Sequence, residues 1–525
     1  MTDTTGPAVT ADDWQHLDRR SVAFTAALVA GIACGAAVPT TIGLAREHGL
    51  ATALSWVLPV TALVLLLSPL AGLAFWRSMR YRITDELVET RFDLVVRSRR
   101  TLRRERLRTV DVTASPLHRL FGLAELTAGT GQGGKDGERV KLAPLHRHEA
   151  DRIRRLLLNE PEPETETPER GPGVLAALDW SWLRYAPVSI AAPATAAAAF
   201  GLALKIADWF GAESSLFTYA VQVLGNGRVL PAVLALVAAG VLIGVLGSLL
   251  WFVEQWWDYR LERGPDGTVL HCRHGLFTTR SVSLEQQRLR GVDLVEPLGS
   301  RSFGAARVDA VGTGIRKADG DKKTAGYRTL LPTAPRATAD RVAAAVLRTE
   351  AVPTSAALRT HPPAARRKRL VRAVCAVVAV CAVPAVLGVV VSGVLLHVAW
   401  ISAVVLLPVA GWLGRDAYQS LGHGLSGAHL VTRSGTFSRH TVALERSGVV
   451  GWKIRQSVFQ RRAGLLSVTA VTAAGSGGYT VYDAAEADGI ALADAAVPGL
   501  LEQFLEPAGQ PVPSGQATAG DGADR

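Results

Sequence analysis

The sequence predicts a multi-pass α-helical membrane protein with six spans in three hairpins. Each hairpin is followed by a small β-barrel unit closed by a C-terminal helix. Three observations carry this expectation. The 525 residues are 48% hydrophobic and only 20% charged, against about 25% charged in an ordinary soluble protein, and the mean hydropathy is +0.20. The apolar residues gather in six stretches free of Asp, Glu, Lys and Arg. These stretches come in pairs, and each pair precedes a polar segment that resembles the others.

The uncharged stretches are residues 21–44, 51–76, 185–204, 229–253, 373–396 and 398–414. A spanning helix needs about 20 apolar residues. The last stretch is short but is bounded by Trp400 and Trp412. The N-terminal residues are acidic and polar, and Arg19 and Arg20 abut the first stretch, a pattern that reads as an uncleaved anchor. Trp180, Trp182, Trp251, Trp256, Trp257 and Trp412 fall near span ends, where interfacial anchors sit.

Basic residues set the expected orientation. Arg77, Arg80 and Arg82 follow the second span, Arg366, Arg367, Lys368, Arg369 and Arg372 precede the fifth, and Arg415 follows the sixth. The turns within the outer hairpins hold little charge; the middle turn is less decisive, flanked by Lys205 and Arg228. Both termini and all three polar units are therefore expected on the cytoplasmic side of the membrane.

The expected divisions are a tail (1–18), a first hairpin (19–80) and unit (81–158), and an acidic Pro-rich linker (159–179). A second hairpin (180–257) and unit (258–348) follow, then a linker with a basic end (349–369). A third hairpin (370–416), unit (417–506) and disordered tail (507–525) complete the chain. Units one and two share a Val-Asp, at Asp111 and Asp293, a Pro-Leu pair, a Phe-Gly, and a strand ending in Gly-x-Gly. Unit three is more diverged, with Trp452 expected in place of the Asp. Short alternating runs predict strands; residues 149–158, 337–347 and 498–505 predict the closing helices.

A segment of unit one approaches a phosphate-binding loop: Gly129, four residues, then Gly134-Lys135. Such a loop needs Ser or Thr next, to bind magnesium, and here Asp136 follows. Gly129-Thr130-Gly131 also has counterparts in Gly312-Thr313-Gly314 and Gly475-Ser476-Gly477. A feature repeated in register belongs to the repeat, so it reads as a turn between strands and Lys135 as a loop lysine. The histidines show no H-E-x-x-H or metal-ligand spacing. Cys34, Cys272, Cys375 and Cys381 read as small apolar residues. No catalytic residue, cofactor, metal or nucleotide is expected.

Charge is the strongest functional signal: the net charge is +11. Arg97, Arg99, Arg100, Arg103, Arg104, Arg106 and Arg108 crowd one region of unit one. Arg366, Arg367, Lys368 and Arg369 stack against the fifth span, a pattern that positive-inside topology also explains. Arg461 and Arg462, with Gln456 and Gln460, form a further polar candidate, or a short helix anchoring unit three to the sixth span. Each basic residue near an anionic leaflet is worth about 1 kcal/mol. Nucleic acid is not expected as a partner, since the patch lacks aromatic platforms.

These runs carry a family resemblance. Tyr-Arg-Ile-Thr-Asp from Tyr81, Arg-Leu-Arg-Thr-Val-Asp-Val from Arg106, Leu-Phe-Gly-Leu-Ala from Leu120, and the run from Gln456 to Leu465 (QSVFQRRAGL) resemble the bacterial pleckstrin-homology-like (PH-like) domain of multi-pass membrane proteins carrying three such domains. The resemblance covers roughly residues 14–505. It implies PH-like barrels with C-terminal helices held at the cytoplasmic membrane face, and a smaller membrane partner with the same domain type. The expected function is a non-enzymatic scaffold engaging proteins, itself included, or anionic lipid at the plasma membrane. The alternatives are a lipid-interacting protein of envelope homeostasis or membrane stress, and a transporter subunit.

Overall fold

The computed structural model describes residues 14–93, 97–107, 109–129, 139–158, 173–189, 191–209, 218, 222, 229–313 and 328–502. The glycine-lysine loop with Lys135, Arg108, most of the acidic linker, and the C-terminal tail lie outside them, as does the side chain of Arg106.

The first repeat contains β1 (Gln15–His16), α1 (Arg20–His48), α2 (Leu50–Ser78), β2 (Met79–Ile83), β3 (Leu87–Asp93), β4 (Arg97–Arg103), β5 (Thr109–Ala114), α3 (Pro116–Leu120), β6 (Leu123–Gly129), β7 (Arg139–His146) and α4 (Arg147–Leu158). The second runs through β8 (Val174–Ala177), a 3-10 helix (Trp180–Val188), α5 (Ala191–Trp209), α6 (Val229–Trp256), β9 (Arg260–Arg263), β10 (Val269–His274), β11 (Thr279–Glu285), β12 (Leu289–Pro297), α7 (Leu298–Ser302), β13 (Ala305–Gly312), β14 (Thr329–Pro335) and α8 (Arg336–Leu347). The third comprises α9 (Pro363–Val390), α10 (Val394–Gln419), β15 (Gly422–Ser426), β16 (His429–Ser434), β17 (Ser438–Glu445), β18 (Val449–Arg455), α11 (Val458–Arg462), β19 (Leu465–Thr472), β20 (Gly478–Ala485) and α12 (Glu486–Ala496).

Among the described residues, five helices are long and apolar enough to cross a membrane: α1, α2, α6, α9 and α10. The count reaches six if the 3-10 helix and α5, bent by 63°, form one span. The expected third span begins at Tyr185, but the straight helix starts only at Ala191. Pro187 lies in the 3-10 segment, which ends at Ser189. Tyr185 and Trp182 are instead buried in the core of unit two, with Trp256. Trp182 and Trp256 are therefore core residues rather than interfacial anchors, whereas Trp180, Trp251, Trp257 and Trp412 are exposed. Helices α5 and α6 cross at small residues, as membrane helices do: a Cβ on Gly244 would lie 2.7 Å from the Ala192 carbonyl oxygen.

Each unit is two sheets and a closing helix, but the sheets do not stop at unit borders. The orders are β1-β2-β3-β4, then β7-β6-β5-β11-β10-β9-β8, then β14-β13-β12-β17-β16-β15, then β18-β19-β20. The fourth strand of unit two, β11, lies antiparallel to the fifth strand of unit one, β5, over six residue pairs from Thr279↔Ala114 to Leu284↔Thr109. Likewise β17 lies against β12 over seven pairs, from Pro297↔Ser438 to Gly291↔Leu444. Three barrels, each closed by a C-terminal helix, are the expectation; in the structure neighbouring units are in addition joined through shared sheets. Side chains support the junctions: Arg154 donates to Ser281 at 3.0 Å, and Arg290 pairs with Glu445 at 3.1 Å.

The glycine after each short helix, preceded by Phe in units one and two and by Ala463 in unit three, has a conformational reason. Gly122, Gly304 and Gly464 end the short helices α3, α7 and α11 with φ of 69°, 66° and 62°, the left-handed region where a Cβ is costly. Each glycine carbonyl then accepts the first amide of a closing helix, from Arg147, Arg336 and Glu486 respectively. The third closing helix is thus α12, Glu486–Ala496, and not the expected 498–505. Pro498 and Gly499, with φ of 83°, follow it and cannot extend it. Register corrects a second detail. Asp293 faces Asp309 and Lys453 faces Thr469, both two residues past a bulged glycine. Lys453, one residue after Trp452, holds the Asp position. In unit three the repeated glycines behave as expected: Gly475 and Gly477, with φ of 59° and 81°, turn β19 into β20.

The shared sheets yield a test. Leu294 of β12 is fully buried in the unit two core, so Leu294→Ala is expected to destabilise by about 2–5 kcal/mol. Hydrogen exchange should then accelerate on β17 as well as on β12. Acceleration confined to residues 258–348 would contradict the shared sheet.

Candidate functional site

The expected basic residues fall in separate places. Strand β4 is the outer edge of the first sheet, and Arg97, Arg99, Arg100 and Arg103 on it are exposed. The neighbouring strand partly neutralises it: Glu89 is buried and pairs with Arg82 at 2.6 Å and Arg99 at 2.9 Å. Burial works to raise the Glu89 pKa, yet hydrogen bonds from Arg82, Arg99 and Thr101 hold it below the ordinary value. Arg104 turns away and donates to the Leu156 carbonyl at 2.6 Å.

The second basic run belongs to the base of α9. Arg366 and Arg367 are exposed there. Lys368 and Arg369 reach the buried Asp483 of β20, Arg369 at 3.1 Å. Helix α11 starts with a capping box between Ser457 and Gln460. The Gln460 side chain donates to Asp483 at 2.8 Å and to Ser467 at 2.9 Å. The polar cluster thus anchors unit three to the fifth span rather than to the sixth, and Arg461 and Arg462 remain exposed on its outside.

A cleft of about 670 Å³ opens where the second hairpin meets unit two, and the sequence reading missed it. Its walls include Trp251, Phe252 and Trp256 of α6, Arg280 of β11, and Arg307, Asp309 and Arg328 beside them. Asp309 is buried and pairs with Arg307 at 3.0 Å and Arg328 at 2.8 Å; Thr329 donates to it at 3.0 Å. Burial opposes the charge on Asp309, but the two guanidiniums hold its pKa below the ordinary value. His274 lines the same cleft. Burial first, and Arg280 in addition, push it down to about 4, against the opposing hydrogen bond with the Gln255 carbonyl. With Nδ1 donating to that carbonyl at 2.7 Å, the neutral ring leaves Nε2 a buried acceptor with no hydrogen-bond partner among the described residues. The cleft therefore sets the Arg280 guanidinium and indole walls beside the Asp309 pairs, Glu254 and the acceptor Nε2 of His274, and Arg280 is the donor an anionic headgroup would meet. The one signal in the sequence was the polar pair Arg307 and Asp309 within an otherwise apolar strand.

Among the described residues, no group of three or more His, Cys, Asp or Glu is placed to hold a metal ion. His146 and His148 stack at 5.5 Å between ring centroids. The four cysteines are unbridged, and burial pushes the Cys272 thiol up to about 12.

The Asp483 cluster can be tested through pH. Burial favours the neutral acid, but Lys368, Arg369 and Gln460 together lower its pKa. Its contribution to stability is therefore present above the unfolded-state value of about 3.9 and is lost as pH falls through the lower folded value. Asp483→Asn leaves two cations facing a neutral amide and is expected to cost about 3–5 kcal/mol at pH 7. Thermal unfolding in detergent should show the gap between parent and variant shrinking below about pH 4; a gap that does not change with pH would remove the ionic role.

No curated protein and no solved structure matches the chain. The sequence model of the bacterial PH domain matches it three times, over residues 26–161, 215–349 and 374–505. Each match takes in helical-hairpin sequence together with the sheets and closing helix that follow it. The chain belongs to the bacterial PH domain family, which it carries as three tandem copies.

Proposed function

We propose that the chain is a non-enzymatic scaffold of the bacterial plasma membrane, with its three PH-like units and both termini on the cytoplasmic side. One observation carries the reading: two cross-unit strand pairings join the units into a single array seated on helical hairpins. An array of this kind holds several binding surfaces at fixed spacing, which a scaffold requires. Buried ion pairs at the hairpin bases fix the units to their spans: Lys368 and Arg369 with Asp483, and Arg301 with Asp416 at 2.7 Å.

A second reading, anionic-lipid binding, draws on the cleft of unit two. The exposed indoles of Trp251 and Trp257 mark the level at which headgroups lie, and Arg280 forms no ion pair among the described residues. Lipid binding and scaffolding are compatible, since a headgroup held in the cleft would tie the array to the leaflet.

Native mass spectrometry of the full chain in phosphatidylglycerol nanodiscs tests the lipid reading. Arg280→Ala is expected to reduce retained anionic lipid about tenfold, the equivalent of about 1.4 kcal/mol; equal retention in both proteins would exclude the cleft. A reporter fused after Arg525 is expected to be active only as a cytoplasmic fusion, and periplasmic activity would invert the topology. The scaffold reading itself predicts that extraction of native membranes into polymer discs recovers defined protein partners with the chain. Recovery of the chain alone would refute it.

A further inference from the structure

Two strand junctions repeat one geometry, and the third place for it stands open. Strand β5 receives β11, and β12 receives β17. Their counterpart in unit three is β18, which pairs with β19 on one side; among the described residues no strand lies on its other side.

The open edge keeps features that a neighbouring strand would need. At the filled junction, Gly291 allows close approach, because a Cβ there would lie 2.2 Å from the Ala443 carbonyl oxygen of β17. Its register equivalent, Gly451, is also glycine, yet a Cβ there would meet nothing within 4 Å. Burial follows the same logic. Val112, Leu294 and Ile454 are equivalent positions of β5, β12 and β18, and their exposures are 9%, 0% and 46%. Val450 on the same strand is 70% exposed. An edge that leaves Val450 and Ile454 uncovered invites pairing with another chain, and the exposed Lys453 and Arg455 restrict that pairing to a strand of complementary charge.

Charge decides which strand fits. In the filled junctions Asp111 faces Val282 and Asp293 faces Val442. On β18 that position is Lys453. A second copy would offer β4, the chain's own fourth strand, which pairs with β3 and has no strand on its outer side among the described residues. Val282, Val442 and Arg100 each lie three residues before their strand ends. A copy would therefore set Arg100 opposite Lys453, with Arg97 and Arg99 nearby, and like charges directly opposed destabilise a strand pair. Head-to-tail stacking of copies, which would build an open filament, is thus discouraged at both ends of the array.

We propose that β18 is the docking edge for the fourth strand of a PH-like unit in a different protein. That strand carries a carboxylate facing Lys453 or Arg455. The pairing is antiparallel and in the register of β17 on β12, so that the partner's unit continues the array. The proposal rests on the scaffold reading and names its partner class.

The test uses the full chain in native membranes with a photo-crosslinking residue in place of Ile454. The adduct is expected on an edge strand of a different PH-like chain, within reach of an Asp or Glu, and mass spectrometry maps it to the residue. Lys453→Glu, at an exposed position, is expected to reduce that adduct at least tenfold. The same change removes the repulsion from Arg100, so the purified variant should form head-to-tail oligomers by light scattering. Adding Arg100→Glu should return it to the size of the parent. Adducts only with lipid, adducts with strand β4 of a second copy, or yields indifferent to Lys453→Glu would each overturn the proposal. Partners recovered undiminished from Lys453→Glu would overturn the edge while leaving the scaffold reading intact; a chain with no partners at all would overturn both.

Discussion

The structure depends on backbone pairing across unit borders. Strands β5 and β12 each have two edges, and in each case the second edge is satisfied only by the next unit. Unpaired amides and carbonyls are costly when buried, so neither unit is complete without its successor. This explains why cores and sheets do not divide the chain in the same way. Val431 and Ala443 of unit three lie in the core built mainly by unit two, while Val311 of unit two lies in the core of unit three.

Charge then fixes this array to the hairpins. Asp416 sits on α10 and takes Arg301 from unit two at 2.7 Å, so the third hairpin is held by the second unit as well as by its own. Asp483 holds the base of α9 through Lys368 and Arg369, and Asp309 gathers Arg307 and Arg328 beside the second hairpin. Removing any one of these carboxylates strands cations in partly buried surroundings, which costs more than the pair contributes when intact. The same economy of placement bears on the basic composition. Several arginines that contribute to the net charge of +11 are occupied in these pairs, while those of β4, the start of α9 and α11 are among the exposed ones.

Much of this was legible in the sequence. Uncharged runs of spanning length located the hairpins, because lipid admits no other composition. The Phe-Gly of units one and two showed the repeat, and its glycine, together with Gly464 after Ala463 in unit three, proves to be left-handed in all three units. What was not legible has physical reasons. Strand partners are chosen by edges, and nothing in the residues of β11 says whether its outer neighbour comes from its own unit or from β5. The break before Ala191 was hidden because Tyr185 and Trp182 are apolar enough for a span, yet pack into a sheet core. The cleft was invisible for a similar reason: Arg280, Arg307 and Arg328 are scattered along the chain and meet only through register. Arginine runs were the conspicuous signal, and in the case of Lys368 and Arg369 they were structural.

The pairing of β5 with β11 also imposes an order on biogenesis. Val112 leaves the ribosome before Ser281, its partner in the sheet. At about 5–20 residues per second, the first unit waits on the order of ten seconds with its inner edge bare, while a whole helical hairpin is synthesised. During that interval the half-made protein presents the same kind of surface that the finished one presents at β18. Each unit is thus a template for the next. A chain that stops early does not yield a smaller version of the array but one whose last completed edge remains reactive.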